Sequence, residues 1–228
     1  KLEKRNFSDF AVLYRTNSQS RALEDSFRRS SIPYNIVGGI RFYERKEIKD
    51  IIGYLSLIIN TKDTVSLRRV VNFPPRGIGL KTVDKCFEKA EKRKMELLDV
   101  LNEPDDMGIR GKQAEALRRF YGTIMKYNEL LPKLNAGELV RTLLEEIGIK
   151  NHYSKNKTPD DNERYENVLE FLRGVDEFMV RNPDGGLRDF LEEVSLLTDL
   201  DNWNDQSNRV TLMTVHASKG LEFPVIFL

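Results

Sequence analysis

Short apolar runs stand near both ends of this chain, and helix-period stripes fill the middle. Phe10–Tyr14 (FAVLY) is a continuous apolar run, the pattern of a buried parallel strand. Arg15-Thr16-Asn17-Ser18 then offers a helix N-cap, Gln19–Ser30 reads as an amphipathic helix, and Ser31-Ile32-Pro33 breaks it. Tyr34–Val37 predicts a second strand, ended by Gly38-Gly39, which completes a strand–helix–strand unit. From Glu44 to Asn60 the period becomes helical: Ile48, Ile51, Ile52, Leu55, Ile58 and Ile59 recur at three- and four-residue spacing. Further helices are predicted over Ser66–Val71, Thr82–Lys94, Gln113–Leu131, Ala136–Ile147 (with Gly148 as its cap), Glu163–Val180 and Leu187–Leu197. Asn72–Gly79 reads as a loop, Glu103–Gly111 as a polar link, Asn151–Asp161 as a flexible loop, and Asp199–Asn208 as an exposed or disordered connection. Val210–Val215 and Phe223–Leu228 are then apolar again, on either side of the polar turn His216-Ala-Ser-Lys-Gly220.

The order is α/β, then all-α, then α/β. It predicts an α/β fold in which one parallel-sheet domain is interrupted by an all-α insertion. The expected division is 1–107, 108–205 and 206–228, with the first boundary in the Glu103–Gly111 link. Val210–Leu228 is expected to return to the same sheet and pack beside the Phe10–Arg15 strand. A chain that starts and stops on strands is expected to be a piece of a longer one.

Composition narrows the class. With 228 residues, 39% apolar and 32% charged, the chain has the profile of a soluble, helix-rich globular protein. No apolar run approaches the roughly 20 residues of a membrane span, and the charged stretch Lys1–Arg5 is not a signal-peptide pattern. The single cysteine, Cys86, excludes an internal disulfide framework and suits a reducing cytoplasm. One Cys and two His (His152 and His216) are too few for a structural zinc site of the usual ligands. The net charge of +1 means that any nucleic-acid contact must come from local loops rather than from a global field.

Three loops carry candidate chemistry. Arg15 follows a buried parallel strand, where open α/β sheets place ligand contacts, and a guanidinium there can neutralise charge on a transferring phosphoryl group. Tyr14 can stack on a base. The same residues also read as a core tyrosine and a surface arginine paired with Glu24 or Asp25. In Arg76-Gly77-Ile78-Gly79, followed by Thr82, glycines ahead of a helix let backbone N–H groups approach a phosphate, and Arg76 adds a mobile charge; a plain turn is the alternative. Gly108-Ile-Arg-Gly111-Lys112 repeats that arrangement and is a candidate duplex contact. In the closing motif, His216, Ser218 and Lys219 lie on a loop, Gly220 permits a tight turn, and Glu222 precedes the last strand. A carboxylate so placed can accept from a ribose hydroxyl, and a histidine can contact a DNA phosphate or base.

Two of these stretches resemble a known family. VLYRTNSQSRALE is similar to motif IV, and TVHASKGLEFP to motif V, of the UvrD/Rep/PcrA-type superfamily 1 DNA helicases. The RGIG-loop-helix element, the charged segment from Gly38 to Asp50, and Arg164-Tyr-Glu-Asn167 resemble further family segments. The resemblance covers essentially the whole chain. It implies part of a second RecA-like domain and its inserted helical accessory domain. It implies ATP with Mg²⁺, single-stranded DNA and a duplex junction as ligands, repair or polymerase proteins as partners, no membrane, and a cytoplasmic location. By the same resemblance Tyr14 stacks on adenine, Arg15 contacts the γ-phosphate as the catalytic residue, and Glu222 faces the ATP ribose. Arg76, Gly77, Ile78, Gly79, Thr82, His216 and Lys219 face DNA. The charged Gly38–Asp50 segment is expected to be structural, with ion pairs at helical spacing, and Arg164 and Glu166 to make helix–helix contacts. The sequence holds no G-x-x-x-x-G-K-[ST] loop and no acidic pair for Mg²⁺. The expectation is a 3′-to-5′ helicase or translocase fragment that supplies one wall of the ATP site, no metal ligand, and no activity alone. The alternatives are a non-catalytic DNA- or protein-binding module and the helicase arm of a helicase–nuclease complex.

Overall fold

The computed structural model describes residues 5–154, 158–199 and 208–228. Its sheet has four strands, β1 (Phe10–Tyr14), β2 (Tyr34–Val37), β3 (Val210–Thr214) and β4 (Val225–Phe227), in the order β2-β3-β1-β4. Every pairing is parallel. β1 pairs with β3 from Ala11↔Thr211 to Tyr14↔Thr214, and with β4 from Phe10↔Val225 to Val12↔Phe227; β3 pairs with β2 from Tyr34↔Val210 to Val37↔Met213. The closing segment therefore supplies both neighbours of β1; β3 is buried, as a continuous apolar run in a parallel sheet predicts, whereas β4 is an edge strand with Ile226 and Phe227 exposed. Between β2 and β3 the described residues form helices and turns only. The fold is α/β, a partial RecA-like parallel sheet interrupted by an all-α insertion.

The described residues fall into two compact units. One comprises those of Lys1–Ile48, Asn156–Gly174 and Glu192–Leu228; the other comprises those of Lys49–Lys155 and Val175–Leu191.

In the first unit, Tyr14, Tyr34, Val210 and Leu212 form an apolar core with Leu23 and Phe27 of α1 (Ser20–Arg29) packed against it. The opposite face of α1 is buried as well, and it is charged: Arg21, Glu24, Asp25 and Arg28 are all buried. Burying such groups is costly unless each is paired. Arg21 bonds Asp25 and Glu170, both at 2.9 Å, and Arg28 bonds Glu24 and Asp25 at 3.3 and 3.4 Å. Glu24 also accepts from Ser20 Oγ at 2.7 Å and from the Phe42 N–H. Burial still pushes the Glu24 and Asp25 carboxyls above their ordinary values. Glu24 and Asp25 are thus engaged with Arg21 and Arg28, not with Arg15.

The second unit is helical. It takes in most of α2 (Lys46–Ile59), then α3 (Thr64–Val70), α4 (Leu80–Arg93), α5 (Leu97–Val100), α6 (Lys112–Leu130), α7 (Ala136–Glu146) and α8 (Ile149–Ser154). Two further helices, α9 (Pro159–Arg181) and α10 (Leu187–Asp199), contribute to both units. In α2, Tyr54 and Leu57 are buried along with Ile51, Leu55 and Ile58, so the helix is enclosed on more than the one face its isoleucines mark. At Gly53 an added Cβ would lie 2.9 Å from Val70 Cγ1, a close approach that brings α3 onto α2.

The Glu103–Gly111 link, where the first domain boundary was expected, lies inside the second unit. Lys89 of α4 bonds Glu103 and Asp106 at 3.1 and 3.3 Å, and Arg118 of α6 pairs with Asp105. Part of the expected flexible loop Asn151–Asp161 is helical. α8 is anchored by buried Ile149 and Tyr153, and α9 already begins at Pro159, a favoured first helical residue. Most of the Asp199–Asn208 connection lies outside the described residues. Among those described, no helix is long and apolar enough to cross a membrane.

Candidate functional site

Because the strands are parallel, the turns that follow β1, β2 and β3 share one end of the sheet. The Val215 N–H donates to the Tyr14 carbonyl at 2.9 Å, so the β1–β3 ladder runs on past its last residue pair. It places Arg15 beside the start of the His216 loop. At Gly38 (φ +72°) an added Cβ would lie 3.0 Å from Ala217 Cβ, which brings the turn after β2 against the same loop and leaves no room for a side chain. This carboxyl edge is where open α/β sheets hold ligands.

Arg15 is exposed here, while Tyr14 is 6% exposed within the apolar core, where burial raises its hydroxyl above the ordinary value. The tyrosine thus occupies the core position that its strand predicts. The turn behind Arg15 is closed by Gln19, whose Oε1 accepts the Arg15 and Thr16 N–H groups at 3.0 and 3.2 Å. His216 and Lys219 are exposed on the loop after β3. Glu222 is exposed too, but on the crossover toward the start of β4. Since Val225 pairs with Phe10, that crossover leads away from the end that carries Arg15. The structure sets Arg15 beside the start of the loop that carries His216 and Lys219, and Glu222 follows on the same connection to β4.

A cleft of about 320 Å³ opens beside the Arg15 turn, lined in part by Asn17, Gly39, Arg45, Glu163, Arg164 and Asn167. Arg45 is its centre. Its Nη2 donates to the Asn17 carbonyl at 2.9 Å and to Ser20 Oγ at 2.7 Å, its Nη1 to Asn167 Oδ1 at 2.8 Å, and its Nε to the Ile40 carbonyl at 3.3 Å. Burial lowers the guanidinium from its ordinary value, opposed by Glu24 and Glu47. The expected ion pairs at helical spacing are not how Arg45 is used. Four acceptors surround it, all of them uncharged and invisible to a charge-pattern reading.

The Arg76–Gly79 loop is built separately, in the second unit. Asn72 Oδ1 accepts from the Arg76 and Ile78 N–H groups at 2.9 and 3.0 Å. Arg76 is not a mobile charge. Its Nη1 bonds the carbonyls of Phe73 at 2.5 Å and Pro74 at 3.1 Å, and its Nη2 bonds the Tyr54 hydroxyl at 2.5 Å. Burial holds that hydroxyl up at about 12. Ile78 and Thr82 are buried, whereas Gly77 and Gly79 are exposed with nothing within 4 Å of an added Cβ. Gln113 Nε2 donates to the Gly77 carbonyl at 3.0 Å, so the glycine–basic stretch ahead of α6 lies beside the one ahead of α4. Two helix N-termini thus carry exposed backbone at neighbouring places, with Arg110 and Lys112 exposed there.

Sequence reasoning missed Gln19, Asn17, Arg45, Asn72, Gln113 and Asn167. Five are amides: Gln19, Asn72 and Gln113 bond backbone, and Asn17 and Asn167 bond side chains remote in sequence, none of which their spacing announces. Among the described residues no group of three or more His, Cys, Asp or Glu side chains could hold a metal ion. No step is assigned to a metal held by these residues.

The family model for the UvrD-like helicase C-terminal domain matches residues 1–228. The ATP-dependent DNA helicase PcrA of Staphylococcus aureus (strain Mu50) is 38% identical over 226 residues, covering 98% of this chain and 31% of that protein. PcrA of Staphylococcus epidermidis (strain ATCC 12228) matches with the same identity and coverage. The chain thus spans about a third of the length of the curated relatives it matches (31%).

Proposed function

The chain belongs to the family of UvrD-like helicase C-terminal domains, and from that premise we propose that it works within an ATP-dependent 3′-to-5′ DNA helicase or translocase. In this reading its sheet supplies one wall of an ATP site and part of a track for single-stranded DNA. The observation that carries the reading is the meeting of the Arg15 turn with the His216 loop at the carboxyl edge of the sheet, through the Val215–Tyr14 hydrogen bond. A nucleotide-facing cation and a loop of DNA-facing groups then share one rigid edge, so a change at either is felt at the other.

Arg15 is the group for the γ-phosphate. Its exposed guanidinium stabilises negative charge as the phosphoryl group transfers. Tyr14 is the adenine-stacking residue of the family resemblance. Its burial means that a base reaches only the rim of its ring unless the sheet edge opens. Glu222 is assigned to the ribose. His216 and Lys219 contact the single strand. Gly77 and Gly79 offer backbone N–H groups to phosphates near a duplex junction, while Arg76, Ile78 and Thr82 hold that loop in shape. Such contacts position a backbone and carry no sequence preference.

ATP is the substrate in this reading, and Mg²⁺, where it is bound, neutralises the phosphate charge with ligands from elsewhere in the full-length protein. Repair or polymerase proteins are the further partners, and the cytoplasm is the compartment, in keeping with the single buried Cys86. The 228 residues contain no phosphate-cradling G-x-x-x-x-G-K-[ST] run, so the chain alone is expected to be inactive. The test is ATP hydrolysis and unwinding of a 3′-tailed duplex by the full-length protein, with and without single-stranded DNA. DNA-stimulated turnover with 3′-to-5′ polarity supports the reading; turnover indifferent to DNA sinks it, as does robust turnover by the purified chain.

A further inference from the structure

The cleft beside the Arg15 turn holds a hydrogen-bonded relay that the site so far described does not use. It begins on α9, whose residues up to Gly174 lie in the same unit as the sheet. Asn167, 2% exposed, donates from Nδ2 to Glu47 Oε1 at 2.6 Å and accepts from Arg45 Nη1 at 2.8 Å. Only one orientation of the amide satisfies both partners, because a carboxylate accepts and a guanidinium donates. Glu47 therefore fixes the Asn167 amide, and Asn167 fixes the plane of the Arg45 guanidinium. The other side of that guanidinium grips the Asn17 carbonyl and Ser20 Oγ, the two ends of the short turn ahead of α1. A second tie from α9 meets the same turn, where Asn17 Nδ2 donates to Glu163 Oε1 at 2.7 Å.

The turn so gripped is the one that carries Arg15. Gln19 closes it locally by accepting the Arg15 and Thr16 N–H groups. That closure is internal to the turn, whereas Arg45 ties the far side of the turn, at Asn17 and Ser20, to Asn167 of α9. A lysine could not do the same, since a point charge cannot hold four acceptors in a planar fork.

We propose that Arg45 and Asn167 are positioning residues for Arg15: Asn167 orients the Arg45 guanidinium, and Arg45 sets the place of the turn from which Arg15 reaches the phosphoryl group. The proposal rests on the assignment of Arg15 to the γ-phosphate given above. A misplacement of about 1 Å is enough to cost on the order of 10²-fold in rate, and loss of the grip at Asn17 is a change of that kind. The relay also gives α9 a hold on the nucleotide side of the sheet, so a displacement of this helix would be read out as a change in turnover.

The experiment is a double-mutant cycle in the full-length protein, read by steady-state ATP hydrolysis with saturating single-stranded DNA. Asn167→Ala is expected to lower kcat by about 10- to 100-fold while KM for ATP changes little. In an Arg15→Ala background the same substitution should cost nothing further, because its effect passes through Arg15. Arg45→Lys should reproduce both results, and it decides the matter by the same criterion if Asn167→Ala lowers the melting temperature enough to obscure turnover. Equal losses in the two backgrounds overturn the proposal, since a general loss of structure does not depend on Arg15. Wild-type kcat in Asn167→Ala and Arg45→Lys overturns it too, with the Arg15 assignment intact. Wild-type turnover by Arg15→Ala instead removes that assignment and the proposal with it.

Discussion

Val215 donates its backbone N–H to the carbonyl of Tyr14, two residues separated by most of the chain. The bond extends the parallel pairing of β1 with β3 beyond Tyr14↔Thr214 and sets Arg15 level with the first residues of the His216 loop. An arginine at the end of an isolated strand has no fixed reach. One whose backbone is locked into a central strand has its position defined by the sheet, which is what a group acting on a transferring phosphoryl needs.

Arg15→Ala should therefore lower kcat for ATP hydrolysis by the full-length protein on the order of 10³-fold, the scale of an arginine finger. Because Arg15 is exposed and its neighbours Glu24 and Asp25 are paired with Arg21 and Arg28, the substitution should leave the melting temperature nearly unchanged. Steady-state kinetics with a parallel thermal melt checks both. A large fall in melting temperature would place Arg15 in the fold rather than at the phosphate.

Arg76 should behave in the opposite way. Its guanidinium donates to the Phe73 and Pro74 carbonyls and to the Tyr54 hydroxyl; Arg76→Ala removes all three bonds, and of the two carbonyls only that of Phe73 keeps another donor, the Tyr54 hydroxyl. A buried acceptor left unsatisfied costs about 1–3 kcal/mol, so the expected loss is about 2 kcal/mol in urea unfolding. DNA affinity should weaken only as far as the Gly77–Gly79 loop loses its shape. Tyr54→Phe should produce a smaller loss of the same kind, since Arg76 retains its carbonyls.

The pattern of apolar runs was enough to identify the strands and most helices, and Val210–Leu228 could be assigned to the sheet of Phe10–Tyr14 before any coordinates. Continuous apolar runs of that kind have few other uses. Short helices were not legible. α5 and α8 have four and six residues, too few for a period to show. The buried side of α1 was not legible either, because Arg21, Glu24, Asp25 and Arg28 read as a solvated face until Glu170, from far along the chain, arrives to pair with them. At the site, the motif residues were found by their sequence, but the amides that hold them (Gln19, Asn72, Asn167) bond to backbone and to groups remote in sequence. Asn and Gln carry no periodic or charge signature of that use.

The buried α1 network gives a pH dependence with a definite sign. Glu24 has its folded pKa raised above its ordinary 4.5, chiefly by burial. The folded state therefore holds this proton more tightly than the unfolded state does. Its contribution to stability is greatest below 4.5 and diminishes as pH rises from there through the raised folded value. Glu24→Gln removes that titration and replaces the charged acceptor of Arg28 with a neutral one. The penalty of Glu24→Gln should thus be larger at pH 4 than at pH 7. Urea unfolding of both proteins at the two values checks it; a penalty that grows with pH would mean that the pairing with Arg28 outweighs burial.

The exposed glycines and Lys219 should separate two kinds of DNA contact. Gly79 has φ −78°, an ordinary value for any residue, and an added Cβ meets nothing within 4 Å. As the N-cap of α4, Gly79→Ala costs less than about 1 kcal/mol in the protein itself. A phosphate drawn to the N–H groups at this helix start would nonetheless meet the new methyl. The expected result is a rise of about tenfold in Kd for a tailed duplex, equivalent to roughly 1.4 kcal/mol. Since no charge is removed, the slope of log K against log salt should not change. Lys219→Ala should give the complementary signature, a uniform weakening across DNA sequences with the magnitude of the salt slope reduced by about 1. Salt titrations of the two variants decide this. An unchanged Kd for Gly79→Ala would take the Gly77–Gly79 loop off the DNA path, and an unchanged slope for Lys219→Ala would remove that lysine from the phosphates.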